Sequence, residues 1–424
     1  MILTICTSFA LLLFLGVPIA VILGVTTMIS LVFFSSTPLQ IISQQLFNAL
    51  DNFVLLAIPF FILAGSIMTR GGIARKLIAF VNALVGWFPG GLAMAGILAC
   101  IFFAAISGSS PATVVAIGSI MIPALIKAGY GERFSLGLIT VSGSLGIVIP
   151  PSIPMILYCM VMNVSVAQMF MAGILPGLLI GFCLMVYTFF IAKKNDWRIE
   201  THASLSQLIR TAREGIWALL LPFIVLGGIY SGIFTPTEAA AVSVIYALFV
   251  EMCVYKEFKW TDITEICRDA AVLSACLLFI LSCAMTFIWL LTAEQIPHHL
   301  AEIIIRHIHS PWMFLLTVNI LFIILGCFMD DVSAMLILAP LFLETLNRYG
   351  IDLVHFGIVM VLNIQMGMLT PPFGLNLFVA SGITRQPLVK IARGVAPFLV
   401  IMLLCLMLVT YIPWIALALP RWLL

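Results

Sequence analysis

Two short stretches decide the fold: G-I-V-I-P-P at 146–151 and G-M-L-T-P-P at 367–372. Their glycines are 221 positions apart, and so are their prolines. Paired prolines remove two successive backbone donors, so a helix entering either stretch must break there. Working outward, the same landmarks precede each break in the same order. G-Y-G (129–131) answers R-Y-G (348–350), and Pro123 answers Pro340. S-G-S-S-P-A-T (107–113) answers G-C-F-M-D-D-V-S (326–333). One chain therefore carries two copies of one plan.

Composition fixes the medium. Of 424 residues 63% are hydrophobic and only 8% charged, against roughly 25% charged in a soluble domain. A soluble enzyme, a nucleic-acid binder and a disordered chain are excluded; the net charge of +2 is uninformative. A secretory signal begins with positive charge, yet the first basic residue here is Arg70, so the apolar N-terminus is expected to stay as embedded structure. The ten cysteines are scattered without a C-x-x-C pair, as small buried hydrophobes are.

With about 20 apolar residues needed per span, spanning helices are expected near 3–35 (broken at Gly16 and Pro18), 53–69, 89–106, 133–149, 168–192, 215–234, 236–255, 271–292, 312–328, 353–369 and 396–418. Shorter apolar pieces near 110–127, 152–164, 331–346 and 372–384 read as re-entrant or broken helices. No alternating ten-residue strands of the barrel type occur. The fold class is thus all-α and polytopic, with two inverted repeats, broken helices and two re-entrant hairpins. The first half covers 1–192, with an arm helix near 72–84, a hairpin near 107–127 and a broken helix at 146–154. The second covers 215–424, with an arm near 297–309, a hairpin near 326–346 and a broken helix at 367–376. The linker 193–214 holds Lys193, Lys194, Arg198, Arg210 and Arg213, and the positive-inside rule places it in the cytoplasm. The segment 256–269 should face the same side; the side of the N-terminus stays open.

Broken helices near the bilayer midplane are where secondary transporters hold substrate and ions. Carbonyls freed at a Pro-Pro break are costly in hydrocarbon unless something satisfies them, and Na⁺, a hard cation, does so with oxygen ligands. One shell is expected from Ser107, Ser109 and Ser110 with carbonyls of Gly146, Ile149 and Pro151. A second is expected from Gly326 and Met329 with Gly367, Thr370 and Pro372. The competing reading is that glycine and proline merely permit close helix packing; their paired recurrence favours ions.

Carboxylates at membrane depth are functional candidates by default. Glu238, in T-P-T-E-A-A-A (235–241), is either a coupling group or a helix-start carboxylate serving the dipole. Asp330 and Asp331 either cap the following helix or help coordinate an ion. Thr113, Asn376 and Ser381 are candidates for contacting substrate. P-H-H-L-A-E-I-I-I-R-H-I-H (297–309) lacks the H-E-x-x-H spacing of a zinc site and reads as an interfacial helix, as does 72–84.

Five longer motifs then become specific: A-L-D-N-F-V-L-L-A-I-P-F-F-I-L-A-G (49–65), I-S-G-S-S-P-A-T (106–113), I-P-P-S-I-P-M-I-L-Y (149–158), F-T-P-T-E-A-A-A (234–241) and L-T-P-P-F-G-L-N-L-F (369–378). Together they resemble the large membrane subunit (M subunit, DctM-like) of tripartite ATP-independent periplasmic (TRAP) transporters, over essentially the whole chain. The resemblance implies Na⁺-coupled uptake of an organic acid across the bacterial inner membrane by an elevator-type motion, with scaffold and transport domains interleaved across both halves. It implies two partners, a periplasmic substrate-binding protein and a small membrane subunit (Q type). It implies no organic cofactor, only Na⁺ as coupling ion, placed on the serine-glycine hairpin and Pro-Pro residues named above. The alternatives are a stand-alone or proton-coupled carboxylate symporter, an intramembrane enzyme and a channel. The enzyme lacks a catalytic constellation, since adjacent Asp330 and Asp331 point about 100° apart on a helix. The channel suits two asymmetric broken-helix sites poorly.

Overall fold

The computed structural model describes residues 2–34, 37–197, 205–371 and 374–423; Pro372, expected as an ion ligand, and residues 198–204 of the expected linker lie outside them. The N-terminal run divides at Gly16–Pro18, as the sequence predicts, into α1 (Ile2–Phe14) and α2 (Ile19–Phe34). Then come α3 (Gln40–Leu50), a 3-10 turn at Phe53–Leu56 and α4 (Ala57–Arg70). The first copy of the repeated plan follows: α5 (Ile73–Val85), α6 (Gly91–Ser107), α7 (Ser110–Lys127), α8 (Glu132–Gly143), α9 (Ile153–Met162) and α10 (Val166–Lys194).

Two long helices, α11 (Leu205–Tyr230) and α12 (Pro236–Phe249, continued by a π turn Val250–Val254), bridge the copies. The second copy is introduced by α13 (Trp260–Ala293), as the first is by α4. It comprises α14 (Ile296–His307), α15 (Pro311–Gly326), α16 (Asp331–Tyr349), α17 (Leu353–Gly367), α18 (Leu375–Thr384) and α19 (Leu388–Tyr411), before a final α20 (Trp414–Leu423). The element order matches one for one: arm α5 with α14, hairpin α6–α7 with α15–α16, broken helix α8–α9 with α17–α18, long helix α10 with α19. None of the described residues forms a strand.

Among the described residues seven helices are long and apolar enough to cross a membrane alone; six fall on the eleven apolar runs of the sequence, and the seventh, Ser110–Lys127, is a piece the sequence reads as too short to cross. The difference is informative. Runs 89–106 and 312–328 are first limbs of the hairpins, so each hairpin extends further N-terminally than expected. Runs 133–149 and 353–369 are halves of broken helices and stop inside the molecule. Arm α14 meets α15 at a bend of 119°, which turns it sharply away from the hairpin limb. The polar linker is shorter than expected, because α10 runs to Lys194 and α11 begins at Leu205.

Two groups of helices result. α4 packs on α12 and α13, and α13 on α2 and α3; the hairpins and broken helices pack on one another and on α10 and α19. Arm α5 lies between the groups, against α11 and α6, while α14 rests on α16. Arm α5 is fastened by a residue the sequence reading passes over. Glu251, on the π turn and wholly buried, accepts hydrogen bonds from the backbone N–H groups of Gly72 and Ile73, each 2.9 Å. It thereby satisfies donors that open the arm helix.

Candidate functional site

Helix ends build the site. α6 stops where Gly108 turns left-handed, and Ser109, extended, caps α7. Ser152 caps α9, and Asp330 caps α16 by accepting from the Ser333 N–H at 3.1 Å. Helices α7, α9, α16 and α18 therefore begin in one central region, while α6, α8, α15 and α17 end there. The N-termini offer unpaired N–H groups that suit an anion; the C-termini offer carbonyls that suit a cation. A region holding both kinds can accommodate an acid and its counter-ion together.

The glycine before each Pro-Pro break lets a hairpin tip reach it. A Cβ on Gly146 would lie 2.5 Å from the Ser109 carbonyl oxygen and 2.7 Å from Thr113 Oγ1. A Cβ on Gly367 would lie 2.5 Å from the Gly326 Cα. Both halves thus use a glycine to seat a break against a hairpin, Gly146 at the start of α7 and Gly367 at the end of α15.

In the first half the structure gathers Ser107 and Thr113. Ser107 Oγ is 2.9 Å from Thr113 Oγ1, and Thr113 donates to the Ser109 carbonyl at 2.9 Å. Gly146 closes on these oxygens, and the Pro151 carbonyl lies against Gly108. Thr113, a candidate for substrate contact, lies in this oxygen cluster. Ser110 faces elsewhere: its Oγ accepts from Asn376 Nδ2 at 2.5 Å, which ties the first hairpin to the second broken helix. The Ile149 side chain is buried over Gly177. In the second half Gly326 meets Gly367, Met329 is buried beside them, and Thr370 Oγ1 donates to the Met366 carbonyl at 2.8 Å. Ser381 lies outside the centre and closes the end of α18 on the Gln386 carbonyl. Glu238 completes an exposed capping box with Thr235 at the start of α12. His298 is engaged by Glu344 and Glu302 on the arm–hairpin contact.

Sequence reasoning did not reach the contact between the two breaks. Gln365 Nε2 donates to Ser144 Oγ at 2.7 Å, and these residues stand 221 positions apart, the repeat offset itself. Applying that offset to Ser144 would have found it. The side-chain oxygens of Gln365, Asn376 and Asn363 and the hydroxyls of Ser142 and Ser333 are buried without a protein partner. Such uncompensated oxygens fit a hard cation.

Beside this centre lies a cavity of about 470 Å³ between the hairpins and helices α4 and α13. Ser107, Gly108 and Ser109 face it from one tip, Asp330 and Asp331 from the other, and Ser66, Thr69, Arg70 and Asp269 from the far wall. Its volume suits a small organic molecule.

Comparison with known proteins gives a consistent picture. The family model described as "Tripartite ATP-independent periplasmic transporter, DctM component" matches residues 6–415. The chain is 46% identical over 401 residues to the C4-dicarboxylate TRAP transporter large permease protein DctM of Pseudomonas aeruginosa, covering 95% of this chain and 94% of that one. It is 45% identical over 420 residues to the protein of the same name from Rhodobacter capsulatus, covering 96% of each. The solved Alcanivorax borkumensis YdaH transporter superposes with a TM-score of 0.69 at 14% identity, over 97% of this chain and 99% of that one. That likeness speaks for the fold alone.

Proposed function

The chain belongs to the DctM component family of tripartite ATP-independent periplasmic transporters, and from that premise we propose that it carries an organic acid, of the C4-dicarboxylate class, into the cell together with Na⁺. It is a multi-pass membrane permease and not an enzyme. The observation that carries the proposal is a cavity shared by both hairpin tips, next to a centre where anion-favouring and cation-favouring helix ends meet. The dicarboxylate class is supported by the names of the two relatives described above.

Na⁺ sits, in this reading, on Ser107, Thr113, the Ser109 carbonyl and the backbone of Gly146 in the first half. In the second it sits at Gly326, Met329, Gly367 and Thr370, with the unpartnered oxygens of Gln365 and Asn376 between. An all-oxygen, carboxylate-free first shell binds a monovalent hard ion without needing a proton. Asp330 and Asp331 add charge at the second tip. Glu238, in its exposed capping box, has no part in coupling.

The sidedness follows from charge. Between the two arms the chain crosses five times, through α8–α9, α10, α11, α12 and α13, so the arms and their hairpins enter from opposite faces. Among the described Lys and Arg residues only Arg306, Arg348 and Arg421 then fall on the periplasmic side, which satisfies the positive-inside rule in the inner membrane. This makes the two copies inverted repeats. The hairpin and broken-helix group moves as an elevator against α2–α4 and α11–α13. A periplasmic binding protein delivers the acid and a small membrane subunit completes the tripartite assembly.

The test is uptake of labelled succinate into proteoliposomes holding this chain with both partners, at varied Na⁺ and fixed pH. Uptake that needs Na⁺, and fails without the binding protein, is expected. Uptake indifferent to Na⁺ but following an imposed pH gradient would replace Na⁺ by H⁺; accumulation by the chain alone would remove the partner assignment.

A further inference from the structure

We propose that Asp269, with Glu265 beside it, serves as a built-in counter-anion for Arg70: it takes the guanidinium back from the substrate's carboxylate and so sets how easily the acid leaves the cavity. The inference rests on reading that cavity as the substrate site.

Charge around the cavity prompts it. Among its described lining residues Arg70 is the one Lys or Arg, against three carboxylates, Asp269, Asp330 and Asp331. An acid entering has one cationic side chain to meet, and that side chain is already engaged. Arg70 forms an ion pair with Asp269 and lies 3.4 Å from Glu265. Both acids are on α13, whereas Arg70 ends α4.

Position makes Arg70 reachable. Gly65, on the same helix, touches the backbone of Ser107 at the hairpin tip. Arg70 follows five residues later, about 7.5 Å along the axis. Ser66 and Thr69 line the wall between them. An acid resting one carboxylate among the hairpin N–H groups can therefore present another to the guanidinium.

Exchange is cheap in this geometry. The side chains of Arg70 and Asp269 are 42% and 43% exposed, and ion pairs that wet are weak. A substrate carboxylate can make the same forked contact. When Asp269 gives Arg70 up it stays hydrated and keeps Arg268 at 3.4 Å, so no charge is left bare. The swap is one carboxylate for another, and the acids on α13 always compete for return. That competition lowers the affinity of a conformation from which product must depart.

A plain tether between α4 and α13 would look similar in a static structure, but it behaves differently on mutation. If the pair were only a tether, R70Q and D269N would harm alike. As a counter-anion, they act in opposite directions. The experiment measures equilibrium binding of labelled succinate to the purified complex in saturating Na⁺, and turnover in proteoliposomes. Arg70→Gln is expected to weaken binding about tenfold or more, the loss of one charge-assisted contact. Asp269→Asn, and more strongly with Glu265→Gln, is expected to tighten binding while slowing turnover. The charge swap Arg70→Asp with Asp269→Arg is expected not to restore binding. Weakened binding in D269N, unaltered binding there, or rescue by the swap overturns the counter-anion. A wild type that transports none of a panel of organic acids overturns instead the substrate-site reading, and the inference with it.

Discussion

Replacing Gly146 by alanine puts a methyl carbon 2.5 Å from the Ser109 carbonyl oxygen, 2.7 Å from Thr113 Oγ1 and 2.8 Å from the Ser109 carbonyl carbon. That is about 1 Å short of ordinary contact, and two of the three atoms are backbone, which cannot rotate away. Overpacking of this kind costs about 1–3 kcal/mol. The smaller unfolded-state entropy of alanine offsets only about 0.4–1 kcal/mol of it, so the clash wins. The hairpin tip must withdraw, and its withdrawal separates Gly146 from the Ser107, Ser109 and Thr113 oxygens. Gly118→Ala is the control: it lies in the same hairpin, but its nearest neighbour would be the Ile122 side chain at 3.5 Å. Both variants are to be purified and assayed for succinate uptake against Na⁺. Gly118→Ala should match the wild type. Gly146→Ala should assemble in the membrane yet need a Na⁺ concentration at least several-fold higher for half-maximal uptake. Wild-type Na⁺ dependence in Gly146→Ala would refute the role given to the tip-to-break contact.

Three further outcomes are expected. Glu251→Ala should lower the thermal stability of the detergent-solubilised protein by about 2 kcal/mol, the loss of a buried cap that leaves two backbone donors unpaired; a silent substitution would show that α5 is held otherwise. A double-mutant cycle of Ser144→Ala and Gln365→Ala should give a coupling of about 1 kcal/mol, and strictly additive losses would contradict the contact between the breaks. In a variant without reactive native thiols, Asn195→Cys should be labelled by an impermeant reagent only from the cytoplasm and Glu302→Cys only from the periplasm. Labelling of both from one side would cancel the inversion of the repeats.

What the sequence discloses, and what it withholds, follows the physics of each signal. The twofold plan is readable because proline and glycine leave local marks: lone prolines such as Pro123 and Pro340 stay inside helices, but the paired prolines that follow Gly146 and Gly367 fall where helices break. The capping of α7 by Ser109 and of α16 by Asp330 is equally local. The bond from Asn376 to Ser110 joins residues 266 apart, and nothing in either neighbourhood announces the other. The Arg70–Asp269 pair, 199 residues apart, is hidden for the same reason. Glu251 is hidden because one acid at the end of an apolar run looks like the run meeting water, although it is wholly buried. Boundaries drift where polarity and helicity part company. α13 begins at Trp260, well ahead of the expected 271, because its first turns carry Asp262, Glu265, Arg268 and Asp269 and a hydropathy ruler does not count them. α3 escaped for a related reason: Gln44, Gln45 and Asn48 dilute its apolar residues.

The bond between Ser144 and Gln365 has a consequence for how unlike the halves are free to become. Where two copies of a motif meet across a pseudo-dyad, an assembly of identical chains must set each residue against its own twin. Serine would face serine, or glutamine would face glutamine. Joined in one polypeptide, the two positions escape that constraint, and a long amide can reach across to a short hydroxyl. The same freedom extends to the tips: the first has serines and a threonine, the second a pair of aspartates. Under the proposed ion sites, the two tips can thus hold ions of the same kind with different strength, which would give their binding and departure an order that a symmetrical pair would lack.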